Sequence, residues 1–244
     1  MLKGKNIWVT GGSRGLGQAM CECFSEYGAN VAFNFHTDEA GAASTLNKII
    51  QNSVKGLAFQ SSVLDEEKMA ATAKQIDANF GSIDVLVNNA GISQPLPIAL
   101  MDGDDWDKVM ETNAKGQFLA VRAVLPGMMR RKSGVILNIG SLAGLRLIEA
   151  PVHYAASKSA VKGFTEALCK EVARYHIRVN CLAPGLLNEG VGQGLPEYRL
   201  KDYIKHVSLG RVGEISEVAK MAAFMVSDRN SYMNGEIMLM DGGL

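Results

Sequence analysis

Along the chain, short runs of consecutive apolar positions alternate with longer stretches whose apolar residues recur every three or four positions. The short runs are rich in aliphatic and β-branched residues and cover 6–10, 30–35, 55–60, 85–88, 135–139, 179–182 and 236–240. Runs of this length without polar alternation read as strands buried on both faces. Helical periodicity marks 15–27, 38–52, 66–79, 106–131, 154–175 and 214–226. A strand that is apolar on both faces needs cover on both sides, which predicts a parallel sheet with helices packed above and below it. Right-handed crossovers leave few topologies for that pattern, and the commonest is the doubly wound sheet, whose ligands bind beyond the carboxyl ends of the strands. The expected fold is therefore α/β: a doubly wound, seven-stranded parallel sheet in three α/β/α layers. No repeat, low-complexity tract or Pro/Ser-rich linker interrupts the alternation, so residues 1–244 are expected to form one domain.

Composition narrows the class. With 47% hydrophobic and 20% charged residues the chain is too apolar for disorder. Twenty-five basic residues balance twenty-five acidic ones, so net charge gives no reason to expect a nucleic-acid partner. No apolar run reaches the roughly eighteen residues of a membrane-spanning helix. The start, MLKGKNIWVTGG, arrives at a glycine turn too soon for a secretory signal, and a cytoplasmic location is expected. Cys21, Cys23, Cys169 and Cys181 form no C-x-x-C pair; they are expected to be buried small apolar side chains in a reducing compartment, and no metal site is expected.

The chemistry lies at the predicted strand ends. The first strand runs into Thr10-Gly11-Gly12-Ser13-Arg14-Gly15-Leu16-Gly17, where the first helix begins. Glycines there let the chain turn tightly and approach a pyrophosphate, and the helix N-terminus offers free N–H groups and its positive dipole end. A dinucleotide on a Rossmann-type fold is the expected ligand. Strand two ends Asn34-Phe35-His36-Thr37, with no carboxylate before Asp38, whereas NAD-specific folds place an acid there to bond the ribose 2′-hydroxyl. Arg14, with His36 as a second contact, suits a 2′-phosphate instead, so NADP(H) is expected.

Tyr154-Ala155-Ala156-Ser157-Lys158 stacks a phenol and an ammonium at i and i+4 on one helix face. Ser141 closes the fifth strand, and Asn113 lies in the helix after the fourth. Reducing a ketone leaves an alkoxide that must be protonated as charge develops. A phenol of pKa near 10 serves best beside a cation, so Lys158 and an oxidised nicotinamide are expected to lower Tyr154 toward neutrality. His153 is expected to point away from that chemistry, because adjacent helical residues diverge by about 100°.

The spacing of Gly11, Gly15 and Gly17, the Asn88-Asn89-Ala90-Gly91 motif, the set Asn113, Ser141, Tyr154 and Lys158, and Ala183-Pro184-Gly185 together resemble the classical short-chain dehydrogenase/reductase family, over the whole chain. The resemblance implies that Ser141 polarises the substrate carbonyl, Tyr154 moves the proton, and Lys158 holds the nicotinamide ribose. It implies a main-chain contact from Asn113 to a water linking Lys158 to solvent. Cofactor contacts are implied first at Gly11, Ser13, Arg14, Gly15, Leu16 and Gly17, then at His36, Ser62 and Val63. Further contacts are implied at Asn89, Ala90 and Gly91, at Tyr154 and Lys158, and at Pro184, Gly185 and Leu187. Two positions depart from the family pattern: Ser62 replaces an aspartate that meets the adenine, and Glu189 replaces a threonine that many members carry.

On the substrate side, the segment 186–210 is expected to form a lid, with Gly190, Gly192 and Gly194 as its glycine punctuation. The segments 93–98 and 142–152 form the opposite wall, mostly apolar but with Gln94, Arg146 and Glu149. Among relatives the motif set is most similar to 3-oxoacyl-[acyl-carrier-protein] reductases, in MMRRKSGVILNIGS, YAASKSAVKGFTEALCKEVA and the closing Asp241-Gly242-Gly243. That likeness implies an NADPH-dependent ketoreductase turning a 3-oxoacyl thioester into the 3-hydroxyacyl thioester in fatty-acid or polyketide/polyene-type biosynthesis. An acidic acyl carrier protein would meet a basic rim near the active-site mouth, for which Arg130, Arg131, Lys132 and Arg174 are the candidates. A solvated helix end explains the same run equally well. A sugar, steroid or small-alcohol dehydrogenase on the same scaffold stands as the other enzyme reading. A non-catalytic NADP(H) sensor is disfavoured, since such proteins typically lose the tyrosine or lysine kept here. The resemblance also implies a homotetramer through the two long helices, whose small residues are Ala114, Gly116 and Ala120, and Ala160, Gly163 and Ala167.

Overall fold

Residue parity along each strand decides which core a side chain enters. In the first strand, Ile7 and Val9 join one cluster with Val31, Phe33, Val85, Val87 and Leu137. Trp8 points the other way and joins Ala32, Leu86, Ile136 and Val179. The period-2 geometry of a strand thus builds two apolar layers from one sheet, each closed by helices.

The computed structural model describes residues 1–146, 148–190 and 195–244. Its seven strands are β1 (Asn6–Thr10), β2 (Asn30–Phe35), β3 (Gly56–Gln60), β4 (Val85–Asn88), β5 (Gly134–Ile139), β6 (Ile177–Pro184) and β7 (Ile237–Met240). They lie in the order β3-β2-β1-β4-β5-β6-β7, all parallel. The helices are α1 (Gly15–Glu26), α2 (Glu39–Gln51), α3 (Glu66–Phe80), α4 (Gly103–Met110), α5 (Gly116–Arg131), α6 (Val152–Val172), α7 (Glu197–His206) and α8 (Ile215–Val226). One core holds Met20 and Phe24 of α1 with Val218, Ala222 and Met225 of α8. The other holds Met69 and Ile76 of α3, Val121 and Val124 of α5, and Leu168 and Val172 of α6. The doubly wound three-layer expectation is met.

Three differences from the sequence reading have local causes. The stretch 106–131, read as one helix, starts earlier, because Asp102 caps α4 in a reciprocal box with Asp105. It is then split by a π-helical turn, Glu111–Lys115. The side chain of Asn113 inside that turn bonds both the N–H and the C=O of Ile92, which draws the widened turn toward the loop after β4. Strand β6 runs past the expected Leu182 to Pro184, at a ladder position where only Gly185 N–H and the partner strand donate. All four cysteines are buried and free, as expected of small apolar side chains. Among the described residues no helix is long and apolar enough to cross a membrane.

Candidate active site

The strand order reverses between β1 and β4, and the chain leaving each of these strands opens one crevice at the carboxyl edge of the sheet. The glycine loop follows β1. Gly11 and Gly12 N–H both donate to Asn34 C=O at 3.0 Å, tying the loop to the end of β2. Gly11 has φ +69°, and a Cβ there would sit 3.0 Å from the Cα of Ala90. A Cβ on Gly17 would lie 2.0 Å from the carbonyl oxygen of Gly11, so α1 can abut the loop only with glycine at that place. The side chains of Asp38, Asp65 and Asp102 cap α2, α3 and α4, but no side chain caps α1, and its first turn carries no acid. Its free N–H groups and dipole are thus left for an external anion, beside exposed Arg14. These features fit a dinucleotide pyrophosphate. Ser13, by contrast, is buried, and its carbonyl accepts from Thr45.

Thr10 is a structural residue that the motif reading missed. Its hydroxyl accepts from the N–H groups of both Asn89 and Ala90 at 3.0 Å, and Asn89 Nδ2 donates to the carbonyls of Thr10 and Gly11. Asn89 and Ala90, expected as cofactor contacts, therefore spend these groups bracing the glycine loop. Asn88 braces the sheet through Asn138. Ser62 Oγ accepts from Leu64 N–H, and Val63 packs so tightly on Gly116 that a Cβ there would meet it at 2.7 Å. His36 is exposed at the end of β2.

Asn113, Ser141, Tyr154 and Lys158 converge from the π-turn, the end of β5 and the start of α6. Lys158 is buried, with Nζ donating to Ile139 C=O at 2.9 Å. A Cβ on Gly91 would stand 3.1 Å from Asn113 Oδ1 and 3.6 Å from Lys158 Nζ, so Gly91 lies between the amide and the ammonium. Both amide hydrogens of Asn113 are used: besides Ile92 it donates to Ser157 Oγ at 2.9 Å, and Ser157 donates to Tyr154 C=O at 2.8 Å. Burial brings the Lys158 ammonium down to a pKa of about 8. The lowering of Tyr154 expected from Lys158 and an oxidised nicotinamide together is opposed by burial. Burial pushes its phenol up, the Ser141 hydroxyl opposing by hydrogen bonding, and Lys158 Nζ lies 5.8 Å from the ring centre. His153 is fully buried with Nδ1 accepting Tyr154 N–H, and burial lowers its pKa.

Past β6, Leu187 bridges Gly213 through Leu186 C=O and Asn188 N–H, which turns the N–H of Leu187 itself to the opposite side. Pro184 ends the strand, and Gly185 N–H is held by Met240 C=O at 3.0 Å. On the substrate side, Gln94 is held by Asp105 and Glu149 by Arg199 of α7. Gly192 and Gly194 of the expected lid, and residue 147 of the opposite wall, lie outside the described residues. Among the described residues no group of His, Cys, Asp or Glu is placed to hold a metal ion.

The basic residues do not sit where the sequence reading put them. Arg130, Arg131 and Lys132 end α5 just before β5 begins, and Arg174 just precedes β6. They thus lie at the amino edge of the sheet, opposite Ser141 and Tyr154. Arg131 is also engaged, donating to Ile83 C=O at 2.6 Å. Within one protomer they form no rim to its own site.

A family model described as Enoyl-(Acyl carrier protein) reductase matches residues 11–244. The chain is 38% identical over 246 residues to the 3-oxoacyl-[acyl-carrier-protein] reductase FabG of Chlamydia trachomatis, covering 100% of this chain and 98% of that protein. Its structure is similar to that of a 3-oxoacyl-[acyl-carrier protein] reductase from Brucella melitensis, with TM-score 0.92 and 32% identity over 100% of this chain and 92% of the other. It is equally similar to a levodione reductase, with TM-score 0.94 and 29% identity over 99% and 98% of the two chains. Backbone likeness of this degree reaches proteins with different substrates, so it does not choose among them.

Proposed function

Because this chain belongs to the short-chain dehydrogenase/reductase family, we propose that it is an NADPH-dependent ketoreductase acting on 3-oxoacyl thioesters. The observation that carries the reading is the full-length likeness to 3-oxoacyl-[acyl-carrier-protein] reductases, joined to the convergence of Asn113, Ser141, Tyr154 and Lys158. Residues 1–244 act as one domain in the cytoplasm, in fatty-acid or polyketide/polyene-type synthesis.

The nicotinamide, when bound, supplies the hydride. The Ser141 and Tyr154 hydroxyls hold the substrate's ketone oxygen, and the Tyr154 proton passes to that oxygen as negative charge develops on it. A phenol whose pKa is pushed up by burial remains protonated at neutral pH, which suits the reductive direction. Lys158 has N–H donors beyond the one given to Ile139, free for the ribose hydroxyls, and its charge steadies the phenolate left behind. The α1 N-terminus at Gly15, Leu16 and Gly17 holds the pyrophosphate, with Gly11 and Gly91 leaving room, while Pro184, Gly185 and the Leu187 N–H line the nicotinamide. Ser62 and Val63 border the adenine. Arg14, assisted by His36, meets the 2′-phosphate. Arg14→Ala is expected to weaken NADPH binding by about ten-fold, the loss of a charge-assisted contact, and to leave NADH binding unchanged. Fluorescence titration of both cofactors checks this, and an equal loss for both refutes it.

The test of the reading is NADPH oxidation against a panel of 3-oxoacyl thioesters, cyclic ketones and sugars. Highest kcat/KM for a 3-oxoacyl thioester supports it; highest kcat/KM for a sugar, steroid or small alcohol overturns it.

We place the acyl carrier protein across two protomers of a homotetramer. Helix α5 spans 16 residues, so about 24 Å separates its basic end from the edge that bears the site. An antiparallel two-fold pairing of α5 and α6 would bring Arg130 and Arg174 of one protomer beside the site of the next. Of the small residues expected at that pairing, Gly116 and Ala120 instead fill the protomer's own core and Ala114 is half-buried, so α6, with Ala160, Gly163 and Ala167 exposed on one face, supports the pairing and those of α5 do not. Reversing charge at Arg130 and Arg174 together is expected to raise KM about ten-fold for carrier-linked substrate and not for a small thioester mimic. Equal effects on both substrates would dismiss the docking role.

A further inference from the structure

Helix α7 buries none of its residues. With ten residues and only Leu200, Tyr203 and Ile204 half-buried it is too short to hold itself, so tethers help decide where it lies. Three are seen among the described residues. Behind the helix, Ser208 and Leu209 N–H donate to the carbonyls of Gly243 and Gly242 at 3.2 and 3.1 Å. In its middle, the Tyr203 hydroxyl accepts from Leu186 N–H at 3.0 Å. In its first turn, Arg199 pairs with Glu149 at 2.9 Å. Arg199 and Tyr203 are four residues apart and so share one face of the helix.

The three tethers reach different parts of the molecule. Glu149 belongs to the segment between β5 and α6, on the substrate side. Leu186 lies between Gly185 and Leu187, whose backbone lines the nicotinamide in the reading above. Gly185 leaves room for the phenol, since a Cβ there would stand 2.7 Å from the Tyr203 hydroxyl. The hydroxyl bond is partly buried, whereas the ion pair is largely exposed, with side chains 45% and 75% accessible, and is therefore weak and salt-screened.

We propose that Tyr203 is a positioning residue that couples α7 to cofactor binding by fixing the 185–187 backbone through Leu186 N–H, while the Arg199–Glu149 pair latches the same helix across the substrate side. This rests on the assignment of 185–187 to the nicotinamide. Occupancy of the cofactor site then steadies α7 through one hydroxyl, and the latch sets how readily an acyl substrate passes.

Tyr203→Phe keeps the ring and deletes only the acceptor. It is expected to weaken NADPH binding about five-fold by fluorescence titration, the worth of one hydrogen bond, with kcat changed by less than about two-fold. In the intact wild-type protein, saturating NADPH is expected to slow hydrogen exchange at α7 amides, and in Y203F to slow it much less. Arg199→Glu is expected to raise the substrate KM at low salt without altering NADPH affinity, and the swap E149R/R199E to restore it. Unchanged NADPH affinity in Y203F, or equal protection of α7 by NADPH in both proteins, overturns the coupling. A swap that fails to restore KM overturns the latch. Titration and exchange need no acyl substrate, so a wild-type protein that turns over no 3-oxoacyl thioester would refute the proposed function while leaving the coupling to stand or fall on these measurements.

Discussion

Tyr154→Phe is expected to abolish turnover, by about three orders of magnitude or more, while NADPH affinity stays within about two-fold of wild type. The ring keeps its place at the start of α6; what disappears is the proton donor that the geometry sets beside Ser141. Without it the developing alkoxide must wait for water, since Lys158, which gives one N–H to Ile139 C=O, serves the ribose and the phenolate rather than the ketone oxygen. Because burial pushes the phenol up, reduction in the wild type should be flat through neutral pH and decline only in alkali, as the proton is lost. NADPH oxidation and fluorescence titration of the variant check both halves, and activity near wild type would remove Tyr154 from the mechanism.

Lys158→Met is expected to be as inactive and to change the pH dependence of stability in a defined direction. Burial brings the folded-state pKa down to about 8 from 10.5. Below pH 8 the lysine is charged in both states, and the unfavourable burial of its charge is fully present. Between pH 8 and 10.5 the unfolded chain binds more protons than the folded one, so stability rises with pH in that window. The rise amounts to about 3 kcal/mol at 1.36 kcal/mol per pKa unit. Methionine matches the length without the charge, so the variant should lack this rise. Ile139 C=O, left without its donor, costs about 1–3 kcal/mol at every pH and does not mimic the effect. Urea unfolding of both proteins across pH 7–10.5 gives the difference curve; parallel curves would show that Lys158 is not held as a buried cation.

The glycine loop and the set Asn113, Ser141, Tyr154 and Lys158 were legible because their signals are local. Turn geometry at Gly11, the i, i+4 stacking of Tyr154 and Lys158, the strand end that carries Ser141 and the helical stretch that carries Asn113 all follow from near neighbours in the chain. Asn89 and Ala90 were read as ligand contacts because their motif says they lie near the cofactor. That their N–H groups belong to Thr10, seventy-nine and eighty residues away, depends on β1 and β4 being neighbours. The π-turn was invisible for the same reason, since it depends on the two bonds between Asn113 and Ile92. Tyr203 gave no signal at all: a tyrosine in an amphipathic stretch becomes meaningful only where α7 meets Leu186.

The basic run 130–132 teaches the converse. Its charge was plain, but its place was not, because a helix carries its two ends to opposite edges of the sheet. The sequence by itself determined the α/β alternation and the double core through strand parity, and it singled out Asn113, Ser141, Tyr154 and Lys158 as candidates, since each follows from periodicity, short spacing or motif. Only the tertiary structure decided which polar groups remain free and where a charge lies relative to the site. Hydrogen-bond capacity is taken up by whichever partner is closest in space, and burial by the whole surrounding fold opposes the pKa shift expected from neighbouring cations, as it does for Tyr154.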